Sequence, residues 1–140
     1  MISVIAPDLA VYSLLSSSSE LLSAIGGVFT LHNSIVTEDT IYPYIMLTTI
    51  DSQDIHANSS RSFAAHSSLE IKVVVRNSGY ILANNIYKVI HSILTSYQGG
   101  FLDDCNITSF MRISSGKKAY SIANDVYYSI SGIYTCIISE

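Results

Sequence analysis

The 140-residue chain reads as a single two-layer α+β domain, a mostly antiparallel sheet of four to five strands with helices packed on one face. Three observations carry this reading. Leu69, Ile71, Val73 and Val75 alternate with Ser68, Glu70 and Lys72, the period of a strand with one wetter face. Leu82, Ile86, Val89, Ile90, Ile93 and Tyr97 recur at helical spacing, with Asn84, Lys88, His91 and Thr95 opposite them. No internal repeat, linker or shift of composition divides the chain, so residues 1–140 are expected to form one domain.

Each element has a local cause. Pro7 and Asp8 suit a helix's first turn and precede Leu9, Val11, Leu14 and Leu15, so a short helix is expected up to the serine run. Ser17 and Glu20 stand at capping-box spacing before Leu21, Leu22 and Ile25, and Gly26-Gly27 supplies a stop, which predicts a second short helix. VFTLHNSIV (residues 28–36) predicts a minor or edge strand. Tyr42-Pro43-Tyr44 tolerates its proline at a strand's start and opens YIMLTTI. Residues 51–62 (DSQDIHANSSRS) read as a long polar hairpin tip, with FAAHSSLEIKVVVR returning as the alternating strand. Asn77-Ser78-Gly79 is turn chemistry leading into the amphipathic helix, which Gly99-Gly100 ends. CNITSFMRI predicts a strand broken by a flexible basic loop over residues 114–121, around Gly116, Lys117 and Lys118. DVYYSISGIYTCIIS predicts the last strand, whose apolar end must be covered on both faces.

Composition excludes several classes. Hydrophobic residues make up 49% and charged ones 13%, about half the usual charged share, which argues against disorder, a basic nucleic-acid arm and a coiled coil. So few charges predict that part of the surface is covered by copies of the same chain. A formal charge of −4, with only seven Lys and Arg, argues against phosphate-backbone binding. The N-terminus lacks a basic n-region, and Pro7, Asp8 and the serines interrupt any apolar h-region, so no secretion is expected. No window reaches the length of a membrane span. Cys105 and Cys136 lack a nearby second thiol or histidine, so both are expected to be unreactive thiols in strands, in a reducing cytoplasm.

Chemical motifs are equally sparse. His32, His56, His66 and His91 are not paired at metal-ligand spacing, and His66 and His91 read as surface or interface residues. No Gly-x-Ser-x-Gly elbow occurs, and Ser131-Gly132 lies inside a strand. Gly116-Lys117-Lys118 lacks the upstream glycine and following hydroxyl of a P-loop and reads as a solvated hairpin tip. The pairs Asp51 with Asp54 and Asp103 with Asp104 lie in polar loops without the burial that separates catalytic carboxylates. Asn58-Ser59-Ser60 and Asn106-Ile107-Thr108 match the glycosylation pattern, which carries no weight without secretion. No catalytic, cofactor-binding or metal-binding residue is expected, and a small ligand-binding or enzyme domain would need converging titratable groups.

Taken in order, the N-terminal helices closed by Ile25-Gly26-Gly27, the strand launched by Tyr42-Pro43-Tyr44, the polar hairpin, EIKVVVR with its Arg76 turn, the helix over residues 81–94 and the tyrosine-bearing last strand resemble a known family. The chain is similar over nearly its whole length to the tail terminator, or tail completion, proteins of long-tailed phages, prophages and gene transfer agents. It departs by carrying fewer charges and by placing Val75 where an aromatic is expected. The resemblance implies a ring, commonly of six copies, on the head-proximal end of the tail tube, where it stops growth and offers a joint to the head connector. Implied partners are the chain itself, the tail tube protein and the head completion protein, with DNA passing through the lumen unbound. Asp51, Asp54 and Arg61 of the tip, with Lys117 and Lys118, are then expected at a partner interface or the lumen. A different neck or tail-tube component is the alternative.

Overall fold

The computed structural model describes residues 7–25, 31–32, 42–55, 64–102 and 105–139. Pro7 begins helix α1 (Pro7–Ser16) as expected, and α2 follows as Ser19–Ile25. The cap between them differs by one residue from the sequence expectation. Leu21 donates its N–H to Ser18 Oγ at 3.2 Å, so Ser18 rather than Ser17 caps α2, while Ser17 Oγ donates back to the Leu14 carbonyl of α1 at 3.1 Å. A run of serines offers several hydroxyls, and only the turn geometry selects among them.

Among the described residues seven strands form one sheet: β1 (Leu31–His32), β2 (Tyr44–Ile55), β3 (Ala64–Arg76), β4 (Gly100–Leu102), β5 (Cys105–Ile107), β6 (Met111–Ile122) and β7 (Asp125–Ser139). Helix α3 (Gly79–Ser96) separates β3 from β4. The order is β1-β2-β3-β7-β5-β4, with β6 also paired to β7; every pairing except β1 with β2 is antiparallel. The expected α+β class, antiparallel sheet and one-sided helices are all present. The seven strands comprise four long ones and three of two or three residues.

Alternation along β3 decides where the core lies. Leu69, Ile71, Val73 and Val75 are fully buried beside Tyr134, Ile130 and Ile45, and Ala83, Ile86, Ile90 and Leu94 of α3 cover them. Val11 and Leu15 of α1 and Leu21 of α2 complete the same cluster. Burying such side chains contributes about 1.5–3 kcal/mol each before conformational entropy is charged. The turn into α3 is pinned from outside: Asn77, at φ 56°, donates from Nδ2 to Asp125 Oδ1 at 2.9 Å and accepts from the Val126 N–H through Oδ1 at 2.8 Å.

Two further expectations are corrected. Residues 51–55 are not a hairpin tip: β2 runs on to Ile55 across a bulge after Thr49, pairing Asp51 with Ser68 and Asp54 with Ala65. Polar residues are admitted because backbone pairing with β3 continues beyond the apolar alternation. Likewise, residues 114–121 are not a loop. They form the body of β6, with Gly116 opposite Ser131, Lys117 opposite Ile130 and Lys118 opposite Ser129, and the reversal comes at Ala123-Asn124 with Ala123 at φ 55°. The ladder offered by β7 overrides the turn propensity of Ser-Ser-Gly. The break expected after Ile113 falls earlier, where Thr108 bonds Ile137 through both its N–H and its Oγ1 between β5 and β6. The last strand is as expected, Asp125–Ser139, but the described helices cover one face of it; Ile133 on the other is half-buried and Ile137 is 38% exposed.

Candidate functional site

All twelve residues of β6 are exposed, because the strand is paired to β7 on one side and to no described strand on the other. Met111 (64% exposed), Ile113 (57%) and Ile122 (60%) project from it, with Tyr120 more sheltered. A long edge with free N–H and C=O groups and apolar side chains is a template for strand addition, and soluble chains ordinarily blunt such edges. Lys117 and Lys118 are its only local charges besides Arg112.

Between β6 and α3 lies a groove. One part, about 450 Å³, is lined by Asn84, Lys88, His91, Ser92 and Thr95 of α3 and Arg112 of β6. A second, about 400 Å³, shares Asn84 and Arg112 and continues to Ser115 and Lys117. Tyr87 lines both, and neither contains a carboxylate. Lys117 reaches over the Tyr80 ring, with Nζ 5.7 Å from its centroid.

The groove floor is a chain of hydrogen bonds. Arg112 Nη1 donates to Tyr87 Oη at 3.4 Å, the Tyr87 and Tyr134 hydroxyls are 2.9 Å apart, and Tyr134 Oη lies 2.8 Å from His91 Nδ1. With His91 neutral, one arrangement satisfies every group: Tyr87 donates to Tyr134, and Tyr134 donates to Nδ1. Burial, followed by the charge of Arg112, lowers the His91 pKa from its ordinary value. Burial raises that of Tyr134, which is fully enclosed. His91, expected at the surface or an interface, is half-buried and hydrogen-bonded to Tyr134 of the core. Gly132 makes this possible, for a Cβ there would occupy the position of the Tyr87 hydroxyl.

The opposite face of the sheet carries a tyrosine cluster. Tyr42 packs on Tyr44 (5.2 Å between centroids) and Tyr127 (5.6 Å), Tyr120 stacks on Tyr127 at 5.2 Å, and Arg76 lies 4.7 Å above the Tyr42 ring. Burial, reinforced by the neighbouring phenols, pushes Tyr44 up to about 12. These rings offer apolar surface with hydrogen-bonding hydroxyls. Cys136 is buried in the core, which pushes its thiol up to about 11, as expected of an unreactive cysteine; the backbone of Cys105 lies in β5.

The sequence-derived site residues are therefore dispersed. Asp51 and Asp54 lie on β2, Lys117 and Lys118 on β6 at the far side of the sheet, and Arg61 falls outside the described residues. His56 also lies outside them. Among the described residues no group of three or more His, Cys, Asp or Glu side chains converges, and no helix is long and apolar enough to cross a membrane.

No protein-family model and no curated protein sequence matches the chain. Among solved structures, a chain of the "Virion of native gene transfer agent (GTA) particle" is similar, with a TM-score of 0.75 at 14% identity over 93% of this chain and 92% of that one. The two chains share a fold. The likeness spans both chains almost end to end.

Proposed function

We propose that this chain is a structural component of a phage-like particle, a tail terminator whose copies close into a ring, six by family resemblance, at the head-proximal end of the tail tube. The observation that carries this reading is the β6 edge, which pairs with no described strand on its outer side and exposes Met111, Ile113 and Ile122 around the cations Arg112, Lys117 and Lys118. Apolar side chains exposed along a strand edge favour its pairing with a second strand, and a chain with 13% charged residues has few charges elsewhere to oppose association. The shared fold with a virion component of a gene transfer agent supports the same assignment. Its partners would be its own copies, the tube protein and the head completion protein, and its place the joint between head and tail of a particle assembled in the bacterial cytoplasm. The work is assembly geometry without bond chemistry: two different complementary surfaces related by a closing rotation make a ring, and a ring seated on the last tube layer blocks further addition. A summed charge of −4 per copy would limit adhesion of DNA in transit.

Mass measurement in solution together with electron microscopy, alone and with tail tubes, tests this. The expected result is a closed ring near six times 15.3 kDa, free or on tube ends. Long tubes of the chain alone would assign it to the tube instead, and a monomer indifferent to tube ends would refute both readings.

A further inference from the structure

Charge is divided along this chain. Residues 1–60 hold six acids and no Lys or Arg, whereas residues 61–140 hold all seven bases and five acids, so the net −4 is made of −6 and +2. The fold places one strand of each half, β2 and β6, on opposite sides of the sheet. At one edge is β2, which among the described residues pairs with β1 only at Ile45 and Met46, leaving its outer side unpaired over residues 47–55 with Asp51 and Asp54. Across the sheet is β6, with Arg112, Lys117, Lys118 and no acid. Behind that edge lies the α3–β6 groove, where Lys88, Arg112 and Lys117 are joined by the amide of Asn84 and the hydroxyls of Ser92 and Ser115; no carboxylate lines the groove, and Glu70 lines only the neighbouring cleft that Lys117 also borders.

We propose that the groove receives the acidic outer half of β2, residues 47–55, from a second copy of this chain, with Asp51 or Asp54 supplying a carboxylate to Lys88, Arg112 and Lys117. This deepens the ring reading and rests on it, naming the two unlike surfaces that a closed rotation requires. Opposite charge aligns the two edges and disfavours β6 against β6 or β2 against β2, which would set like charges together. A strand running beside β6 would pair with its free backbone while alternate side chains reach the groove. His91 reports occupancy. The groups facing it are Lys88 and Tyr87 on its own helix, Arg112 on β6 and Tyr134 on β7, so a carboxylate arriving between the cations favours its protonated form and raises its pKa.

The test uses the full-length, isotope-labelled chain and a synthetic peptide of residues 48–57, compared with the same peptide carrying Asp51→Asn and Asp54→Asn. The acidic peptide should bind about tenfold more tightly at low salt, lose that advantage against K88Q/K117Q, and lose it with rising ionic strength. It should raise the His91 pKa while the Asn peptide leaves it unmoved. Equal binding of both peptides, or binding that leaves His91 unchanged, would overturn the proposal. So would inorganic phosphate binding as tightly as the acidic peptide, since the groove would then be a small-anion site. Rings observed without peptide discrimination would sink this contact and leave the terminator reading standing. Peptide discrimination by a chain that never closes a ring would support the contact and sink that reading.

Discussion

Gly132 sits in the middle of β7 because Tyr87 needs the space above it. Gly132→Ala is expected to lower stability by about 1–3 kcal/mol in denaturant unfolding, the range for forcing atoms into a packed site. Gly132→Ala combined with Tyr87→Phe, which removes the colliding hydroxyl, should cost less than the sum of the single changes. His91 belongs to the same cluster, and its pKa is lowered below 6.5 by burial and then by Arg112. The unfolded chain therefore binds this proton more readily than the folded one. Its stabilising contribution is whole above pH 6.5 and is lost as pH falls through 6.5 towards the folded value. Urea midpoints should drop between pH 7.5 and 5.5, less steeply in His91→Gln, and a His91 ring titrating above 6.5 by NMR would contradict the structure. Nothing in the local sequence announces this cluster: His91 and Tyr134 are 43 residues apart, and only α3 packing on β7 joins them.

At the scale of elements, the helix and strand starts were readable wherever one local force dominated. The amphipathic stripe of α3, the alternation of β3 and the limits of β7 appear in the structure essentially as the residues imply. β6 was misread because Ser114-Ser115-Gly116 has turn chemistry, whereas eleven paired positions along β7 hold it extended. This element also carries the clearest mutational test. Met111→Lys with Ile113→Lys changes exposed side chains and should alter monomer stability by no more than about 0.5 kcal/mol. The same double change places charge on the free edge and should abolish ring assembly in size-exclusion chromatography and microscopy, since edge lysines are a device against strand addition. Assembly that persists undiminished would place the ring contact elsewhere.

For the whole molecule, the α+β class, the antiparallel sheet with one-sided helices and the scarcity of charge that points to burial among copies were all legible in the residues, because periodicity and composition are local or additive quantities. It also held the division of acids and bases between the two halves. It took the folded chain to show that β6 is an edge, that β2 and β6 lie on opposite sides of the sheet, and that α3 meets β6 across a groove lined by Lys88, Arg112 and Lys117. The physical reason is that strand order and side-chain convergence depend on pairings between residues far apart in the chain, which no window of neighbouring residues contains.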